Sequence, residues 1–208
     1  MSKDLYRTLQ QQLDTYSLGF PATESGVEIE ILKELFSEDD ARVFIKLSPL
    51  LEAPGAIAER IGLAAGAAEA RLEDMANRGL LFRVKKGETS KYGAIPFMHG
   101  LAEFNALRMS RRLAGLLERY FEEGFHGAIA ASSGLFLRTV PVGESIMPEH
   151  HVAAFDDAAE ILRKMDPIIV TECTCRKQAE LMDHGCGKPL EVCFMFGSMA
   201  RYYIDYGI

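Results

Sequence analysis

Four cysteines, Cys173, Cys175, Cys186 and Cys193, follow one another as C-x-C-x10-C-x6-C, and the 172 positions before them hold none. Cysteines that staple a fold are usually spread so as to close long loops, and disulfides are disfavoured in a reducing compartment. Sulfurs gathered in one short window therefore point to metal ligation. The spacing departs from the CxxC knuckles of structural zinc sites and from the C-x2-C-x2-C-x3-C-P run of bacterial ferredoxins. An iron–sulfur cluster, of the 4Fe-4S kind, offsets much of the charge of four thiolates and tolerates irregular loop spacing. That favours it over a structural zinc ion, for which His184 is a further donor. Four unrelated thiols, or one or two disulfides, are the readings without a metal.

The residues around the sulfurs fit anion-rich chemistry. Gly185 and Gly187 bracket Cys186 and let backbone N–H groups approach a sulfur closely, while Arg176, Lys177 and Lys188 bring positive charge. Pro167 to Thr171 reads as a buried strand leading into Cys173. A final helix is expected from about Glu191 to Cys193 onward, which would put Cys193 in a first helical turn, where free N–H groups favour a thiolate. Between Leu135 and Met165 the pattern predicts a strand over 135–142, a loop carrying the pair His150 and His151, and a helix with Phe155, Ile161 and Leu162. The paired histidines have no Cys or Asp beside them in sequence, so a solvated or capping role is expected of them.

The amino-terminal part must position this window. Leu5, Leu9, Leu13 and Tyr16 give a short helix, for packing or for a homodimer contact, and Val27 to Phe36 give a second. Ser37 with an acid three residues on starts a third. From Pro54 a helix, a turn at Gly62 and a helix ending at Gly79 precede a strand over 80–84, a basic turn over 85–91 and a returning strand over 92–95. Together these predict a winged helix. Its second helix, however, offers Glu69, Glu73 and Asp74 against Arg71 and Arg78, which opposes docking on a phosphate backbone, so DNA is not the expected partner despite Lys85, Lys86 and Lys91 at the hairpin tip. One long amphipathic helix is expected from Leu101 to about Glu123, and Gly124 to Gly134 reads as a linker.

The expected fold class is thus α+β and mostly helical. Its parts are amino-terminal helices over 1–36, a winged-helix-like domain with a bridging helix over 37–123, a linker over 124–134, and a small α/β cysteine-rich metal-cluster segment over 135–208. Hydrophobic residues at 48%, charged residues at 25% and a net charge of -7 exclude wholesale disorder and a globally basic nucleic-acid binder. The amino terminus has no apolar signal region, and no stretch reaches the roughly 20 apolar residues of a membrane helix, so a cytoplasmic protein is expected.

The run Cys173-Thr-Cys175-Arg176-Lys177, followed by Gly185-Cys186-Gly187-Lys188-Pro189-Leu190-Glu191-Val192-Cys193 and then Phe196-Gly197 and Tyr202-Tyr203, resembles a little-characterised group of iron–sulfur proteins of anaerobic bacteria and archaea. In that group a winged-helix-like part precedes the cysteine segment and ferredoxin-type 4Fe-4S repeats follow. The resemblance runs from about Phe36 to Gly207. It implies that Cys173, Cys175, Cys186 and Cys193 ligate the cluster, with Arg176, Lys188 and Glu191 as supporting residues. The relatives' ferredoxin repeats have no counterpart before Ile208, so a redox partner protein is expected to pass electrons onward.

The leading expectation is a protein that holds one cluster and acts in electron transfer or redox sensing. Its rivals are a winged-helix DNA-binding regulator with a cysteine sensor, and an adaptor with structural zinc. No Ser-His-Asp set, phosphate loop or dinucleotide fingerprint is visible, which weighs against an enzyme, although His99, Glu103 and His126 could converge from a distance.

Overall fold

A computed structural model describes residues 2–131 and 162–206. These form an α+β protein, mostly helical, with two separate two-stranded antiparallel sheets among the described residues. Helix α1 (Ser2–Asp14) lays Tyr6, Leu9 and Leu13 against α2 (Val27–Leu35) and α3 (Glu38–Phe44). Of the two roles open to that apolar face, internal packing is the one observed. Helix α3 begins with a capping box: the Ser37 hydroxyl accepts from the Asp40 N–H at 3.2 Å, and the Asp40 carboxylate accepts from the Ser37 N–H at 3.1 Å.

Helix α4 (Pro54–Ile61) starts on Pro54, whose fixed φ suits a first turn, and stops at Gly62, which takes the left-handed conformation with φ 73°. Helix α5 (Ala65–Asn77) follows, then strands β1 (Phe82–Lys86) and β2 (Thr89–Gly93). The hairpin turn is shorter than the sequence predicts: Lys86 already pairs with Thr89, and Gly87 at φ 63° opens a two-residue loop. An isolated bridge between Glu52 and Tyr92 adds a third short rung, with N–H···O bonds of 2.9 Å both ways.

The long helix expected from Leu101 is broken. An irregular turn (Phe97–Leu101), with His99 at positive φ, leads into the single turn α6 (Ala102–Phe104) and a 3-10 turn (Ala106–Arg108). Asn105 turns its side-chain amide to Leu101 O and Gly79 O, and Ser110 caps a fresh start by accepting from Leu113 N–H at 3.0 Å. Gly79 has to be glycine: its φ is +71°, and a Cβ there would sit 2.9 Å from Phe104. Helix α7 (Arg111–Tyr120) then runs through a π turn (Phe121–Phe125) into α8 (His126–Ala131), so the first part of the expected linker is helical. The predictions over 135–161, including the strand, the histidine pair and most of the helix, lie outside the described residues.

Beyond them come β3 (Ile168–Glu172), α9 (Thr174–Leu181), β4 (Glu191–Phe196) and α10 (Gly197–Tyr206). Two expectations are corrected. Glu191 to Phe196 is a strand antiparallel to β3 and not the start of the last helix, because backbone pairing with β3 satisfies its N–H and C=O groups. Strand β3 is only half-covered, with Val170 at 50% exposure. Ile169 and Met195, opposite each other, pack on the core, whereas Val170 and Phe194 form the exposed pair.

The described part of this segment packs on the amino-terminal part. Helix α9 packs on α7, where Arg111 pairs with Asp183 and His184 lies 3.3 Å from Glu118. Helix α10 docks on the hairpin through aromatic packing of Tyr202 with Phe104 (centroids 4.6 Å apart) and Phe82 (5.1 Å), and the Tyr202 hydroxyl donates to Ala76 O at 2.7 Å. Tyr202→Phe removes that hydrogen bond, while Ala76 O keeps the Gly79 N–H at 2.9 Å, and is expected to destabilise the fold by about 1 kcal/mol, read from urea unfolding midpoints. A change below about 0.3 kcal/mol would show that the docking rests on ring packing alone.

Candidate metal centre

Cys173 directly follows β3 and is the N-cap of α9; its N–H donates to Leu190 O at 2.8 Å, and its carbonyl accepts from Lys177 N–H at 2.9 Å. Cys175 lies in the first turn of α9, and Cys193 lies in the middle of β4, paired with Thr171. The helix-terminus effect expected for Cys193 therefore belongs to Cys173 and Cys175. Next to Cys193 the ladder bulges: Thr171 faces Cys193 while Glu172 faces Glu191, so Val192 is the extra residue. The Thr171–Cys193 pair shares its sheet face with Ile169 and Met195, which turns the Cys193 side chain inward.

Three sulfurs are thereby brought together from positions up to 20 apart in the chain. Cys173 is the neighbour that acts on both Cys175 and Cys193. Glu103, from α6 in the other half of the chain, acts electrostatically on both of those thiols. Burial first, then Cys173 and the Glu103 charge, push the Cys193 thiol up to about 11; Cys175 is raised in the same direction by its crowded surroundings and by Cys173 and Glu103, although the residue keeps an exposed side. As thiolates these groups repel one another and Glu103, so their deprotonated form calls for a cation. Among the described residues, however, no three His, Cys, Asp or Glu side chains surround a common point ready for a metal ion. The donor set itself, four thiols of which Cys173, Cys175 and Cys193 are neighbours, fits soft-metal or iron–sulfur ligation.

Cys186 stands apart from the trio. Like Cys175 it is exposed, but it lines a separate cleft of about 350 Å³ together with Arg176, Glu180, Asp183 and Lys188. The loop that carries it is held at both ends: Arg176 donates to Pro189 O at 2.6 Å, and Gly185 sits so close to α9 that a Cβ would lie 3.1 Å from Glu180 Cα. Of the supporting residues implied by resemblance, Arg176 thus braces the loop, Lys188 lines the cleft, and Glu191 is exposed at the start of β4. Lys177 pairs with Glu172 at 3.1 Å across the β3–α9 turn. Glu103 was legible only as a distant candidate; His126, named with it, stacks on Phe121 at 5.9 Å.

The α4–turn–α5 unit carries its charges inward. Arg71 and Arg78 ion-pair with Asp40 at 2.9 and 2.7 Å, and Glu73 accepts from Tyr92 at 2.8 Å and pairs with buried Arg83. The ionisable side chains of α5 that remain exposed, Glu69 and Asp74, are both acidic. Among the described residues no helix is long and apolar enough to cross a membrane. Compared with known proteins, the chain matches no family model, no curated protein and no solved structure.

Proposed function

We propose that this protein binds one iron–sulfur cluster, of the 4Fe-4S kind, through Cys173, Cys175, Cys193 and Cys186, and serves electron transfer or redox sensing with a partner protein. The observation that carries the reading is that the β3–β4 pairing and the turn from β3 into α9 gather Cys173, Cys175 and Cys193, thiols that mutual repulsion would keep apart as anions. Such a cluster supplies one-electron chemistry when bound. Cys173 and Cys175 present their sulfurs at the first turn of α9, where backbone N–H groups lower the energy of negative charge. The β3–β4 pairing holds Cys193 against them, and the braced 183–190 loop carries Cys186.

The order of α3, the Glu52 rung, α4, α5, β1 and β2 supports reading the amino-terminal part as a winged helix. With only acids exposed on α5, that unit is assigned to protein contact and not to DNA. No retardation of duplex DNA is expected even at about 50 mM salt, where phosphate contacts are strongest; salt-sensitive retardation would reinstate the regulator.

Iron, acid-labile sulfide and zinc per chain, measured on protein purified without oxygen, test the reading. About four iron and four sulfide are expected, with a broad visible absorption. About one zinc and no sulfide would make the site a structural zinc module.

A further inference from the structure

Helix α10 buries two consecutive tyrosines whose hydroxyls differ in one respect. Tyr202 donates to Ala76 O at 2.7 Å. Tyr203 is 3% exposed, and its hydroxyl meets no hydrogen-bond partner among the described residues. Phe104 packs edge-on against the Tyr203 ring at 5.5 Å. Helix α10 packs on β3 and β4, whose core-facing side carries Cys193, and the ionisable groups that act on the Tyr203 hydroxyl are Glu103 and Cys193. Glu103 is not its acceptor; the Glu103 carboxylate accepts from Gly100 N–H at 2.9 Å and no bond joins it to Tyr203. Tyr120 also lacks a partner, but it sits among Phe20, Phe97 and Phe125, with Asp14 and Glu28 as its charged neighbours.

A desolvated donor without an acceptor is unfavourable, and phenylalanine would fill the same space without that penalty. A neutral thiol sulfur is a weak acceptor, whereas a metal-bound thiolate or a sulfide carries negative charge and accepts well. We propose that the Tyr203 hydroxyl is a positioning donor for a sulfur of the group bound at Cys173, Cys175 and Cys193, satisfied when that group is in place. This deepens, and rests on, the cluster-binding reading above. One-electron reduction by an external reductant breaks no bond and adds one unit of negative charge to the iron and its sulfurs. The Tyr203 dipole therefore stabilises the reduced form more than the oxidised form and raises the potential.

Tyr203→Phe, made in the full chain and purified without oxygen, tests this. Its iron and sulfide content is expected to equal that of the wild type. Its reduction equilibrium, titrated with dithionite and mediators, is expected to shift about tenfold toward the oxidised form, which is about 59 mV for one electron. The metal-free variant is expected to melt no lower than metal-free wild type, since the change removes an unpaired donor. Tyr202→Phe, the control, should melt lower with its potential unchanged. Tyr203→Phe with full iron and an unchanged potential overturns the proposal and leaves the cluster reading intact. If the wild type carries zinc and no sulfide, the cluster reading fails, and the proposal is decided on cobalt-loaded protein. A thiolate-to-cobalt absorption band that moves on Tyr203→Phe supports it, and an unmoved band overturns it. A wild type that binds neither iron nor cobalt overturns both.

Discussion

Cys173→Ser is expected to bring bound iron from about four per chain to below about one, the largest single loss of any cysteine variant. Cys173 is the sulfur that acts on both others, and its backbone joins the site's three pieces. Its N–H is bonded to Leu190 at the entry to β4, its carbonyl to Lys177 in α9, and it directly follows β3. Serine keeps the N-cap geometry, because its hydroxyl is a good cap, so the local fold survives while the soft donor is lost. Cys186→Ser removes a ligand from an exposed loop outside the trio and should cost less iron, leaving measurable sulfide. Iron and sulfide assays on both variants, with circular dichroism to confirm helix content, decide the order. Full iron on Cys173→Ser would place the ligands elsewhere.

Local signals reported the amino-terminal helices faithfully because each has its own punctuation: Ser37 with Asp40, Pro54, Gly62 and Gly79. They failed where pairing is non-local. Glu191-Val-Cys-Phe-Met-Phe is a short apolar run that helix and strand periodicity describe equally well, and only its partner Ile168–Glu172 decides for the strand. Correcting that one element moves Cys193 from a helix end to mid-strand and makes Cys173 the hub. The break in the expected long helix did have a local sign, Ser110 just before Arg111, whose capping role was hidden by the apolar pattern continuing across it. The cysteine window itself was readable from composition. Its electrostatic partner Glu103 and the unpaired Tyr203 were not, since they reach the site through the docking of α10 on Phe104. Similarly, α5 seemed to offer two arginines to a partner, but Asp40, more than 30 residues earlier, holds both.

Asp40 is accordingly the residue whose removal should cost the amino-terminal fold most. Its side chain is almost wholly buried, and it accepts from Arg78 at 2.7 and 3.0 Å and from the Ser37 hydroxyl at 2.7 Å, with Arg71 at 2.9 Å. Asp40→Ala removes the carboxylate half of the α3 capping box, takes from Arg71 its partner and leaves Arg78 with Asp74 alone. It is expected to cost about 3 kcal/mol, the lower end for a broken buried pair, because both arginines are about a third exposed. Burial alone would push the Asp40 carboxyl up, but the hydrogen bonds from Arg78 and Ser37 outweigh it and hold the carboxyl below the usual range. A depressed folded value means that the contribution is complete above the unfolded carboxylate value of about 3.9 and is lost as pH falls through the folded one. Urea unfolding at neutral pH should therefore separate wild type from Asp40→Asn clearly, and the gap should close as the solution is taken down toward pH 2. A gap that persists unchanged in acid would mean that Asp40 acts through shape and not charge, and a gap below about 1 kcal/mol at neutral pH would leave α3 and α5 held together by Phe44, Leu72 and Met75 alone.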